Sequence, residues 1–352
     1  MSDPVTEVRD EDRFDVAAVH EWLAARVDGL AGLPQVRQFP GGASNLTYLL
    51  RYPGRELILR RPPAGHRAAS AHDMRREYRV QDALRPVFPY VPRMLALCDD
   101  PAVLGDDFYV MERLHGLILR GDLPPGMSLE PAAARRLSTG VIDRLVELHE
   151  VDVAAAGLGD LGKGTGYVER QIRGWTERYR RARTENVPEF AEVTAWLAAN
   201  LPDEVSICLI HNDYRLDNVV LDSAEGLDVV GILDWEMATL GDPLMELGST
   251  LAYWVQADDD DFFKASRRQP THLPGMLTRA EVVDHYARRT GLAIPDWTFY
   301  EVYGLFRLAA IIQQIYYRYH QGQTRNPAFQ DFWQLVGYLE WRCRTVIEGS
   351  TG

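Results

Sequence analysis

Apolar and polar positions alternate with the short period of strands through the opening third of the chain. The runs "QVRQF", "NLTYLLRY", "ELILR" and "DFYVMERL" are each a few residues long, and "PGG" and "YPG" supply turn chemistry between the first three. Before the last run the period changes. In "SAHDMRREYRVQDALR", Met74, Tyr78 and Leu84 fall on one helical face, with Ser70 as the expected N-cap. The order strand, strand, strand, helix, strand predicts a small antiparallel sheet carrying one packed helix.

From Glu130 onward helical spacing dominates, in "EPAAARRLSTGVIDRLVELHEV", "YVERQIRGWTERYRRAR", "FAEVTAWLAANL", "DPLMELGSTLAYW" and the segments after Thr278. Two short apolar runs, at 217–222 and 228–233, interrupt it as strands. The pattern therefore predicts an α+β protein with a β-rich region over residues 1–112 and a larger helical one over 113–352.

Composition narrows the partners. The 352 residues carry a formal net charge of −13, which disfavours nucleic acid, since that needs a basic face to neutralise phosphates. No apolar run is long enough to span a membrane, and the acidic start differs from a signal peptide, so a cytoplasmic location and no membrane partner are expected. Cys98, Cys208 and Cys343 are isolated from one another, which predicts reduced structural thiols. Lys163 and Lys264 are the only lysines; the other members of the 38 basic residues are arginines.

Candidate chemistry concentrates in "LIHNDYRLDNVVLD". Residues 211–218 fit H-x-D-x-x-x-x-N, and "GILDWE" places Asp234 behind a second apolar run, 21 residues after Asp213. An Asp or Asn in a loop is ordinarily just a polar turn. The complete spacing of His, Asp, Asn, strand, turn, strand and Asp suits phosphoryl transfer. One carboxylate orients an acceptor hydroxyl, while an amide oxygen and a second carboxylate hold Mg²⁺ against the phosphates.

The passage from His211 to Gly248, with "FPGGASNLTYLL", "LILRRPPAG" and "REY" earlier in the chain, resembles the aminoglycoside phosphotransferase family. Within it the likeness is strongest to the branch fused to acyl-CoA dehydrogenases. The resemblance implies a protein-kinase-like two-lobed fold and an ATP- and Mg²⁺-dependent transfer to the hydroxyl of a small molecule. Asp213 is then the catalytic base, Asn218 and Asp234 the metal ligands, and His211 and Asp242 supports of the catalytic loop. Asp242, followed by Pro243, also reads as a helix N-cap.

On the nucleotide side, Gly41 and Gly42 would let backbone approach phosphate while Ser44 and Asn45 donate to it; two glycines alone are more often a hairpin turn. Kinases carry a lysine on the third strand, whereas here Arg60 stands there with Glu77 as its expected partner and Arg61 as a competitor. Met111 would back the adenine, with the Glu112 carbonyl and the Leu114 amide on its edge. "GLGDLGKG" from Gly157 imitates a P-loop, but it lacks the final Ser or Thr and follows no strand.

The acceptor divides two ways. The family name and the acidic "ADDDDFF" suggest an aminoglycoside-like polycation, although acidic runs are usually solvated surface. Arg170, Arg173, Arg178, Arg180, Arg181 and Arg183 on one predicted helix suggest an anionic, hydroxyacyl-CoA-like acceptor, although interspersed glutamates suit an exposed, ion-paired helix. The absent lysine also leaves a rival of another class, a nucleotide-binding scaffold without turnover.

Overall fold

The structure is a computed structural model that describes residues 5–40, 45–63, 73–294 and 296–350. Along the chain run α1 (Val16–Ala24), β1 (Gln35–Gln38), β2 (Leu46–Tyr52), β3 (Arg55–Arg61), α2 (Met74–Leu84), β4 (Met94–Cys98), α3 (Pro101–Leu104) and β5 (Phe108–Glu112). There follow α4 (Pro131–His149), α5 (Tyr167–Ala182), α6 (Ala191–Ala199), β6 (Cys208–Ile210), β7 (Val219–Leu221), β8 (Val229–Ile232) and β9 (Thr239–Gly241). The last helices are α7 (Pro243–Ala252), α8 (Asp261–Ala265), α9 (Arg279–Thr290), α10 (Thr298–His320) and α11 (Phe332–Ser350). No described helix is long and apolar enough to cross a membrane.

Contacts divide the chain into two units. The first holds the chain up to Leu117 together with 156–158 and 220–238; the second holds 118–155, 159–219 and the chain from Thr239. The division differs from a single boundary after residue 112, because the β7–β8 hairpin is counted with the first unit and Leu117 pairs with Leu221.

In the first unit a five-stranded antiparallel sheet runs in the order β1-β2-β3-β5-β4. Alternation along each strand gives it two apolar faces. Tyr48, Leu50, Leu57, Leu59 and Val110 pack with Val19 and Leu23 of α1, while Leu49, Ile58, Tyr109 and Met111 pack with Met74 of α2. Helices α1 and α3 and strand β4 are additions to the predicted order. "MLALC" is too short an apolar run for its period to separate strand from helix. Asp73 caps α2 by accepting from the Arg76 amide, and Ser70 lies outside the described residues.

In the second unit β6 pairs with β9, two further strands too short to be read from pattern. Helix α10 is buried along most of its length and crosses α7 at a pair of glycines. A Cβ on Gly304 would lie 2.1 Å from the Gly248 carbonyl oxygen, and one on Gly248 would lie 2.4 Å from that of Tyr300. Backbone therefore meets backbone there, which only glycine allows. All three cysteines are free and buried.

Candidate active site

Strand β6 delivers the chain to His211, and a single 3-10 turn at Leu216–Asn218 passes it on to β7. The Asn218 side-chain amide donates to the backbone oxygen of Asp213 at 2.9 Å and to its carboxylate Oδ2 at 3.0 Å. Both partners are acceptors, so the NH₂ must face them. Asn218 Oδ1 is left without a partner among the described residues, the orientation a metal ligand needs.

Arg215 meets the same carboxylate, with Nε 3.1 Å from Oδ1 and Nη2 3.2 Å from Oδ2, and its guanidinium lies over the Tyr253 ring at 4.7 Å. Sequence reasoning passed over Arg215. Its signal was a cation two residues beyond the candidate base, inside the motif itself.

The loop is braced from behind by Glu246 of α7, which is almost fully buried. Its carboxylate accepts the His211 amide at 3.0 Å, the Asn212 amide, and His149 Nε2 at 2.8 Å. His149 Nδ1 in turn lies 2.7 Å from the Tyr286 hydroxyl. Burial pushes the Glu246 pKa up, but the hydrogen bond and charge of His149, with the charge of His211 and the Asn212 amide, outweigh it and hold the group below its ordinary value.

Asp242, expected to support this loop, caps α7 through the Leu244 and Met245 amides and accepts the Val205 amide. The loop's own amides go one turn further along, to Glu246. Asp242 lies at the helix end, where capping claims its carboxylate; Glu246 is the charge within a helix whose every residue is buried. That burial could have betrayed it, but a glutamate in a helical pattern reads as surface. His211 is fully buried and its Nδ1 accepts from the Asp213 amide at 3.2 Å.

The first unit gathers a second set of groups. Of the two candidate arginines, Arg60 meets Glu77, with Nη1 2.7 Å from Oε1, and its Nη2 lies 3.0 Å from Asp234 Oδ1. Arg61 turns to the other face and holds the Asp12 carbonyl and the Tyr48 hydroxyl. Burial and the nearby charge of Asp234 raise the Glu77 pKa against the pull of Arg60. Asp234 adopts a left-handed backbone conformation, φ 69°, as does Asn212, φ 68°. Such strain in non-glycine residues collects at functional sites.

Asn45 is buried and its side-chain NH₂ donates to Glu236 Oε2 at 3.0 Å. Gly41, Gly42 and Ser44 lie outside the described residues. Met111 is buried in β5, the Glu112 amide is bonded to the Arg93 carbonyl, and the Leu114 amide has no partner among the described residues.

As magnesium donors, Asn218 Oδ1 and the Asp234 carboxylate are both hard oxygens. Mg²⁺ is ordinarily held by one or two carboxylates with water and phosphate oxygens completing the shell, so a sparse protein donor set fits it. Among the described residues no group of three or more His, Cys, Asp or Glu could hold a metal ion.

Three of the four aspartates of the acidic run have partners within the fold. Asp259 pairs with Arg279 and Arg342, Asp260 caps α8 and bonds Tyr338, and Asp258 accepts from Gln256. The arginines of the predicted helix 167–183 are mostly exposed: Arg181 pairs with Glu177, Arg183 with Glu189, and Arg170 holds two backbone carbonyls.

The family profile described as "Phosphotransferase enzyme family" matches residues 35–283. The chain is 36% identical over 307 residues to "Acyl-CoA dehydrogenase family member 10" of Mus musculus, covering 87% of this chain and 28% of that protein. It thus spans less than half the length of the curated relatives it matches. A crystal structure of a putative aminoglycoside phosphotransferase from Ralstonia eutropha superposes with TM-score 0.80 at 34% identity, covering 96% of this chain and 99% of that one. The GDP complex of aminoglycoside 2'-phosphotransferase-IIIa shares the fold with TM-score 0.62 at 13% identity, over 94% and 99% of the two chains.

Proposed function

The chain belongs to the phosphotransferase enzyme family, and from that premise we propose that it moves the γ-phosphoryl group of ATP onto a hydroxyl of a small molecule. Asp213 orients that hydroxyl and takes its proton. The acceptor oxygen forms a bond to the γ-phosphorus as the bond to the bridging oxygen breaks, and the electron pair leaves on ADP. Asn218 and Asp234 hold Mg²⁺, which when bound neutralises charge on the phosphates. Arg60 grips phosphate, steadied by Glu77, and Met111, Glu112 and Leu114 receive the base.

One observation carries this reading: Asn218 turns its NH₂ onto Asp213 and its oxygen away, fixing the candidate base and freeing a metal-type donor in the same stroke. The strained Asp234 beside Arg60 supports it from the first unit.

The test is ADP release from Mg-ATP, and GDP release from Mg-GTP, across a panel of alcohols. Asp213→Ala is expected to retain a nucleotide-induced thermal shift and to lose about 10² to 10⁴ in turnover. Turnover equal to wild type in that variant removes Asp213 from its role. A thermal shift with no nucleotide cleavage for any acceptor replaces the enzyme reading with a scaffold.

A further inference from the structure

A buried cation without a counter-ion is costly, because desolvation is not repaid by a carboxylate. Arg307 of α10 is such a cation. It is 3% exposed and has no carboxylate within ion-pair distance among the described residues. Among the described residues its one hydrogen bond runs from Nη2 to the Asn212 carbonyl at 2.6 Å, and its guanidinium lies 5.2 Å over the Trp175 ring. Arg61, the other buried arginine among the described residues, places Nε and Nη2 in three bonds to neutral oxygens.

The remaining nitrogens of Arg307 are not sealed. Among the described residues Nε and Nη1 have no partner, yet neither belongs to the fully buried polar atoms that lack one, so both reach accessible space. A second cation lies nearby. Arg178, exposed and without an acidic partner among the described residues, stands 4.6 Å over the same Trp175 ring. The fold places Arg307 with care: Gly304, one turn earlier on the same face, brings α10 onto α7 backbone to backbone.

We propose that Arg307, with Arg178, forms an anion subsite beside Asp213, so that the acceptor is an alcohol bearing a carboxylate or phosphate a few bonds from its reacting hydroxyl. The inference deepens the phosphotransferase reading and rests on it for the role of Asp213. Asn212, whose carbonyl Arg307 holds, is the immediate neighbour of Asp213. A guanidinium fork with free N–H groups there matches the planar carboxylate or the phosphate face. A polycationic acceptor would meet repulsion at the same place.

Calorimetric titration in Mg²⁺ with a non-hydrolysable ATP analogue tests it without requiring turnover. The probes are 3-hydroxybutyrate and glycerol 3-phosphate, each beside its neutral counterpart, 1,3-butanediol and glycerol. The wild type is expected to bind at least one anion about tenfold or more tighter than its counterpart, the size of effect a charge-assisted hydrogen bond gives. Which anion it is separates carboxylate from phosphate. Arg307→Gln should abolish the preference and Arg307→Lys should keep part of it.

Equal binding of anion and counterpart by the wild type overturns the subsite, as does a preference unchanged in Arg307→Gln. If Arg307→Gln fails to fold, the exposed Arg178→Gln decides, and a fully retained preference overturns the proposal. Selective anion binding without ADP release from any acceptor sinks the phosphotransferase reading and leaves the subsite. ADP release as ready with neutral alcohols as with anionic ones does the reverse.

Discussion

Replacing Glu246 by Gln keeps the shape of the brace and removes its charge. The carboxylate accepts three donors, His211 N and His149 Nε2 on one oxygen and Asn212 N on the other. An amide has one accepting oxygen, so its best pose keeps the first pair and turns NH₂ against the Asn212 amide. One charge-assisted bond is lost and one buried N–H is orphaned, roughly 3 to 5 kcal/mol in sum. With an unfolding entropy of about 2.1 cal/mol/K per residue over 352 residues, that lowers Tm by about 4 to 7 °C for one cooperative transition.

The pH dependence has a defined sign. Glu246 is held below its ordinary value of 4.5, so its stabilisation is present above that pH and fades as pH falls through the depressed folded value. Scanning calorimetry should therefore find the wild type and Glu246→Gln well separated at pH 7, with the gap narrowing below about pH 4.5. A variant melting within 1 °C of wild type at pH 7 would show that the loop does not depend on this carboxylate.

Gly304→Ala should drive α10 away from α7, since its Cβ would lie 2.1 Å from a backbone oxygen; a loss of about 1 to 3 kcal/mol in urea titration is expected, and none would refute the close crossing. Arg60→Met strips Glu77 of its partner and should cost roughly 3 to 5 kcal/mol near neutral pH. Because the Glu77 pKa is raised, its stability is full below its unfolded value and lost as pH rises. Without Arg60 the Glu77 carboxyl is held up further still, so the Arg60→Met deficit should grow as pH rises above the ordinary carboxylate range, and a deficit that shrinks contradicts the pairing.

How much was legible varied with the physics behind each signal. The helices over 131–149 and 167–182 announce themselves through long apolar periodicity, and β2 and β3 through alternation around a Pro-Gly turn. Strands β4, β6 and β9 did not, because runs of three to five residues carry no period of their own. Asp242 was legible as a cap, a local property, whereas Glu246 as acceptor of the loop's amides is a tertiary one. Whether Arg60 or Arg61 meets Glu77 depends on which face of β3 each occupies, and adjacent residues face oppositely.

The order of residues alone determined the α+β class and brought Asp213 and Asn218 together, since four intervening residues and one tight turn leave the amide little choice of partner. Only the tertiary structure decided that Glu246, 35 residues beyond His211, holds the loop. It alone decided, too, that a buried arginine 95 residues beyond Asn212 grips that residue's carbonyl. Such long-range partners are chosen by helix packing, here by two glycines that let α7 and α10 touch, and no local pattern encodes where that touch will bring a side chain.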